Sequence, residues 1–286
     1  MTEKLLTAKP VVEKIKADLA KRCEALKKAG IHPSMSVILV GDNPASLTYI
    51  KNKKKACEEI GAKFALHQLP ASISQNDFLT EVGRLNNDPS VHGIIIQLPV
   101  PDQLKKLNVP NLITPTKDID GFHGINTQSL YAGSIDMKLL LPCTPKGIVS
   151  LLKYYGIEIE GKHVVVIGRS LIVGKPLSML LSNFNATVTV AHSHTKNLSS
   201  LTKVADIVIS AVGKAKFLDK SYFNSHAVVI DVGMNILEGK LAGDVNFEDV
   251  FPHVSAITPV PGGVGPMTVV SLIENLITAC EQQIQG

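Results

Sequence analysis

Two stretches of the chain alternate short apolar runs with helical periodicity, and the segment between them does not. In the first, an amphipathic pattern over 7–29 precedes SVILVG (36–41), a lysine-rich helical pattern (48–61), KFALHQL (63–69), a helix near 74–86 and GIIIQLP (93–99). In the second, TPKGIVSLLKYYG (144–156) reads as a linking helix, followed by the runs HVVVIG (163–168), ATVTVAH (186–192), ADIVISAVG (205–213), AVVIDVG (227–233) and SAITPV (255–260). Apolar runs of strand length joined by helices indicate parallel sheets covered on both faces, with ligands expected beyond the carboxyl ends of the strands. The expected fold class is therefore α/β, in two domains. Residues 1–143 form the first domain, 144–266 the second, and a last helix over 267–286 comes after the second sheet is complete and is expected to pack back on the first domain.

A length of 286 residues suits two units of ordinary size, and 45% hydrophobic with 19% charged residues is a globular composition with no disordered tract. The net charge of +4 is too mild to demand nucleic acid or a membrane surface. Cys23, Cys57, Cys143 and Cys280 show no metal-ligand spacing, so reduced structural thiols and a cytosolic location are expected. The first ten residues lack the apolar core of a secretory signal, and no apolar run is long enough to span a bilayer.

Charge becomes informative only locally. TYIKNKKKACEEIG packs four lysines into residues 51–55. Wound as a helix, it places Tyr49, Lys53, Ala56 and Ile60 on one stripe, while Lys51, Lys54, Lys55 and Glu58 face the other way. Lys53 thus differs from its neighbours. A nucleic-acid patch is disfavoured, since Glu58 and Glu59 lie alongside and no aromatic platform accompanies the lysines. Asn43 is a candidate N-cap and Pro44 the first helical residue. Gln97, at the carboxyl end of GIIIQLP on the same side as this helix, is either a satisfied buried amide or a neighbour of Lys53.

VVVIGRSLIVGKPLSMLL has the form of a nucleotide turn: Gly168 at a strand's end, Ser170 able to donate to phosphate, and Gly174 letting a helix begin close to the ligand. The spacing departs from G-x-G-x-x-G, so a plain strand-turn-helix remains open. NAD enzymes usually carry an acid at the end of the second strand. Here that end reads VAHSHTKN, with Arg169 and Ser193 available to a 2′-phosphate, which favours NADP. His192 and His194 lack a third ligand, so a loop pair is preferred to a metal site.

TKDIDGFHGIN holds Asp118 and Asp120. A calcium loop is excluded by Phe122, leaving turn-forming aspartates or a carboxylate that binds ring N–H donors of a substrate. TPVPGGVGPMTVV (258–270), dense in proline and glycine, would bring backbone close to a ligand, with Pro266 in the first turn of the helix that follows. Tyr49-x-x-x-Lys53 imitates the pair of short-chain dehydrogenases, but theirs follows the glycine-rich turn and this one precedes it.

Taken in order, YIKNKKKACEEIG, IIIQLPVP, KDIDGFH, PCTPKGI, VIGRSLIVGKP, VIDVGMN and ITPVPGGVGPMTV resemble the bifunctional methylenetetrahydrofolate dehydrogenase/methenyltetrahydrofolate cyclohydrolase family nearly end to end. The resemblance implies an N-terminal catalytic domain and a Rossmann-like NADP-binding domain flanking a folate cleft, in a homodimer. It implies NADP-dependent oxidation of 5,10-methylenetetrahydrofolate and hydrolysis of the methenyl product to 10-formyltetrahydrofolate. By the same likeness Lys53 is the catalytic lysine, Tyr49 packs on the folate ring, Gln97 partners the lysine, and Asp120 binds the pterin. Leu98 and the loop Pro261, Gly262 and Gly263 fall on the substrate side. Gly168, Arg169, Ser170, Gly174, Ser193 and Met234 fall at cofactor positions. A folate is the expected small-molecule partner, with no nucleic acid, membrane or metal.

Overall fold

The computed structural model describes residues 4–285. In chain order the elements are α1 (Lys9–Lys28), β1 (Ser34–Val40), α2 (Pro44–Glu59), β2 (Lys63–Leu69), α3 (Gln75–Asn87), β3 (Gly93–Ile96), α4 (Gly124–Tyr131) and α5 (Cys143–Tyr154). There follow β4 (His163–Ile167), α6 (Gly174–Asn183), β5 (Thr187–Ala191), α7 (Leu198–Thr202), β6 (Ile207–Ser210), β7 (Val228–Asp231), β8 (Asn235–Leu237), β9 (Lys240–Ala242), α8 (Phe247–Val250), β10 (Ala256–Ile257) and α9 (Val264–Gln285). They divide into two compact units. One holds residues 14–129, 136–143 and 269–285; the other holds 4–13, 130–135 and 144–268.

The first unit contains a parallel sheet of order β2-β1-β3. Its central strand, SMSVILV, is buried over every residue after the first, whereas edge strand β2 has only exposed and half-buried positions. A strand flanked on both sides needs apolar side chains on both faces, and an edge strand does not. Val40, Ile38, Ile94 and Ile96 close over Phe78, Val82 and Leu85 of α3 as one core. From Val269 onward α9 belongs to this unit. Buried Asn275 donates to the carbonyls of Ile119 and Leu141 at 2.9 and 2.8 Å, and Arg22 of α1 grips Glu281 through Nε and Nη2 at 3.0 and 2.6 Å.

The second unit carries a five-stranded parallel sheet of order β10-β7-β6-β4-β5. From β4 the chain goes to β5 on one side and then to β6 on the other. That reversal creates a crevice between the loops after β4 and β6, which in open α/β sheets is where ligands bind. The same reversal occurs in the first sheet, where β1 is flanked by β2 and β3. The antiparallel β8–β9 hairpin, turned by Glu238 and Gly239 at φ of 51° and 76°, is an element that the sequence reading does not contain. Among the described residues no helix is long and apolar enough to cross a membrane.

Candidate active site

At the reversal point of the first sheet, α2 starts within a few residues of the end of β1. Asn43 Oδ1 accepts the Ser46 N–H at 3.1 Å, so the asparagine caps the helix, and Pro44 opens it. The helix is fastened to the segment after β3 by two contacts: the Ser46 hydroxyl donates to the Leu98 carbonyl at 3.4 Å, and Lys53 Nζ donates to Gln97 Oε1 at 3.1 Å. Gln97 in turn donates an amide hydrogen on Nε2 to the Leu98 carbonyl at 2.9 Å, which fixes the amide with its oxygen toward the lysine. Strand β3 ends at Ile96, so Gln97 follows the strand and is half-buried.

The inward line of α2 runs Ser46, Ile50, Lys53, Cys57 and Ile60, with Ala56 beside it. This corrects the stripe drawn from the sequence. Tyr49 is 43% exposed, because Ile50, one helical step away, takes the sheet-facing place. Lys54 and Lys55 lie outside and reach Glu58 and Glu59 at 3.8 and 3.9 Å, as on an ordinary solvated face. A shallow cavity of about 250 Å³ is lined by Leu47, Ile50, Lys51, Lys54, Phe64 and Leu66. It contains neither Lys53 nor Gln97.

Asp118 and Asp120 divide the two readings of their motif. Asp118 is buried, and its carboxylate accepts the Gly121 N–H at 3.1 Å, the His123 N–H at 2.7 Å and Asn126 Nδ2 at 2.9 Å. Burial pushes its pKa up, against the pull of the His123 and Asn126 donors and with the Asp120 charge adding to the rise. Asp118 is the turn-former. It also pairs with Ile94 of β3 in a parallel bridge, and Asp120 follows in the turn, half-buried. The scaffold role of Asp118 has a sequence signal, an aspartate three residues before a glycine that needs positive φ; Gly121 has φ 76°.

In the second unit the turn after β4 is as tight as the glycines suggest. Gly168 has φ 126°, and a Cβ there would stand 2.5 Å from the Ala211 carbonyl oxygen; a Cβ on Gly174 would collide with the Gly168 carbonyl. The Ser170 hydroxyl oxygen accepts the N–H groups of Val173 and Gly174 at 3.1 and 3.3 Å, bracing the start of α6 while its hydrogen stays able to donate. Ile167 and Ala191 are paired in register, which sets the turns after β4 and β5 side by side, and Arg169 and Ser193 are exposed on them. His192 and His194 form a compact turn, with the His194 N–H donating to His192 Nδ1 at 3.2 Å. Met234, just past β7, is 49% exposed. Pro261, Gly262 and Gly263 connect β10 to α9 in this unit; the Gly262 carbonyl accepts the Ala8 N–H at 2.8 Å, and Gly263 is packed against Pro259. Leu98 is 48% exposed, next to Gln97.

Two family models cover almost all of the chain. Residues 6–120 match the catalytic domain of tetrahydrofolate dehydrogenase/cyclohydrolase, and residues 142–284 match its NAD(P)-binding domain. The chain belongs to this family. Lys53, Gln97 and Asp120 fall inside the catalytic match, and Gly168, Arg169, Ser193 and Met234 inside the NAD(P)-binding match. A relative from Halalkalibacterium halodurans, bifunctional protein FolD, is 50% identical over 282 residues, covering 99% of this chain and 100% of the relative. The crystal structure of the bifunctional methylenetetrahydrofolate dehydrogenase/cyclohydrolase FolD from Campylobacter jejuni is 48% identical with a TM-score of 0.94, covering 97% of this chain and 98% of that one. The Trypanosoma brucei dehydrogenase-cyclohydrolase, solved with NADP cofactor and inhibitor, is 35% identical with a TM-score of 0.92 and covers 98% of each chain.

Proposed function

We propose that the Lys53–Gln97 pair is where this family member handles protons, and that the crevice at the ends of β4 and β6 takes NADP. The chain is a bifunctional enzyme of one-carbon folate metabolism: it oxidises 5,10-methylenetetrahydrofolate to the 5,10-methenyl form and hydrolyses that to 10-formyltetrahydrofolate. The observation that carries the residue assignment is the 3.1 Å contact of Lys53 Nζ with Gln97 Oε1 at the reversal point of the first sheet.

The residues fit a dinucleotide. Gly168 and Gly174 clear space for a close backbone approach, and Arg169 and Ser193 sit on adjacent exposed turns suited to a 2′-phosphate. NADP, when bound, supplies the hydride acceptor. The protein's part in the oxidation is alignment rather than acid or base chemistry, because the folate nitrogen lone pair stabilises the cation as hydride leaves. Asp120 orients the pterin by accepting its N–H groups, and the exposed Tyr49 ring and Leu98 side chain of the same unit offer it an apolar face.

Hydrolysis adds water to the methenyl carbon and opens a carbon–nitrogen bond, so a proton must be moved at a fixed position. Lys53 is held there by a neutral amide, which aims the amine without locking it into an ion pair with a carboxylate. The four cysteines are buried and none is in a disulfide, and burial pushes the thiols of Cys57 and Cys280 up to about 12. Inert thiols of this kind suit the cytosol, where we place the protein, as the homodimer that its resemblance implies.

The test is to mix the protein with 5,10-methylenetetrahydrofolate and either NADP or NAD and follow the near-ultraviolet absorbance of reduced nicotinamide. The reading expects a rise, faster with NADP. Binding of both ligands with no rise would make the chain a carrier and overturn it.

A further inference from the structure

Two buried carboxylates in the second unit hold loops that no catalytic role accounts for. Asp244, which follows β9, is fully buried. Its Oδ2 accepts the Ser210 hydroxyl at 3.0 Å and the Val212 N–H at 2.8 Å, and its Oδ1 accepts the Lys214 N–H at 2.9 Å and Asn235 Nδ2 at 3.1 Å. Asp231, at the end of β7, completes the arrangement by accepting the Gly233 and Asp244 N–H groups on Oδ1 and the Val245 N–H on Oδ2, each at 2.9 Å.

The pairing of β6 with β7 ends at Ser210 and Asp231. Beyond that point Val212, Lys214 and Gly233 direct their N–H groups to these carboxylates, so the loops after both strands are tied to one place. Gly233 and Gly243 are required by the same packing, since a Cβ on the first would strike Asp244 and on the second Asp231. The loop after β6 in turn supports Gly168 through the Ala211 carbonyl. Asp244 therefore ties the turn after β6 to the turn after β7, the second of which presents Met234.

We propose that Asp244 is a positioning residue for the cofactor, holding the turns after β6 and β7 at the spacing that the dinucleotide needs. The inference rests on the assignment of this crevice to NADP. A carboxylate suits the task because it offers acceptor sites to all four donors, whereas the isosteric amide would turn a hydrogen-bearing nitrogen toward two of them.

The test compares wild type with Asp244→Asn and Asn235→Ala, measuring NADP binding directly by titration and both activities on the same preparations. For Asp244→Asn, NADP affinity falls by about ten-fold or more, and the ratio of dehydrogenase kcat/KM for NADP to cyclohydrolase activity falls with it. Asn235→Ala, which removes one donor and leaves the carboxylate in place, gives a smaller fall of that ratio and serves if the first variant does not fold. A purely structural role lowers both activities with the folded fraction and leaves the ratio unchanged, which would overturn the proposal. Wild type that fails to bind NADP would remove the crevice assignment itself. Wild type that binds NADP beside a folded Asp244→Asn that binds equally well would sink this inference alone.

Discussion

Asp231 is 3% exposed, and burial pushes its carboxyl up to about 6 against the pull of the Val245, Asp244 and Gly233 N–H groups, with the Asp244 charge adding to the rise. Between about pH 4 and pH 6 the folded chain therefore keeps a proton that the unfolded chain has released. Stability contributed by this group declines as pH rises through that window and is level above it. Urea unfolding of wild type and Asp231→Asn across the window should show wild type losing about 2–3 kcal/mol relative to the variant; parallel curves would contradict it. Arg169 tests a different residue-scale claim. Its change to Ala should weaken NADP by about ten-fold or more and NAD far less, as expected if the guanidinium meets the 2′-phosphate. Equal losses would return the arginine to an ordinary exposed turn. Residue identity was legible where the chemistry needs a particular atom in a particular local frame, as with Asn43 at the cap and Gly168 at the turn. It was not legible for Asp231 and Asp244, because their donors come from segments more than ten residues away in several cases.

At the scale of elements, the runs KFALHQL and HVVVI needed almost no adjustment, since strand length, flanking turns and apolar composition agree there. The β8–β9 hairpin was invisible for a physical reason. Its two-residue turn is Glu-Gly rather than Asn-Gly or Asp-Gly, and its strands carry the exposed apolar residues Ile236, Leu237 and Leu241 instead of a clean alternation. Tyr49 was misplaced for another: a stripe drawn at 100° per residue has no fixed centre until the sheet beneath the helix is known. Helix α9 supplies the element-scale prediction. Asn275→Ala removes the Nδ2 donor from the buried carbonyls of Ile119 and Leu141, which should cost about 2–4 kcal/mol in chemical denaturation. A loss well under 1 kcal/mol, on the order of an exposed substitution, would mean that the terminal helix is anchored by other contacts.

For the molecule as a whole, in both sheets the order of strand addition reverses at the strand that leads into a proposed site, β1 before α2 and β4 before α6. That correspondence was readable in outline from the alternation of runs, because parallel strands must be joined by crossovers and ligands gather where crossovers part. The strand orders themselves were not, since pairing between β6 and β7, or β1 and β3, is decided by packing across the sheet rather than by any local signal. Hydrolysis and cofactor binding, proposed to use residues of different units, should then be separable by substitution. The measurement that bears on this most directly is the hydrolysis of 5,10-methenyltetrahydrofolate by Lys53→Gln, with NADP binding followed on the same sample. The account predicts that hydrolysis falls by roughly 10²- to 10⁴-fold while NADP binding is retained. A variant that hydrolyses the methenyl folate at the wild-type rate would contradict it.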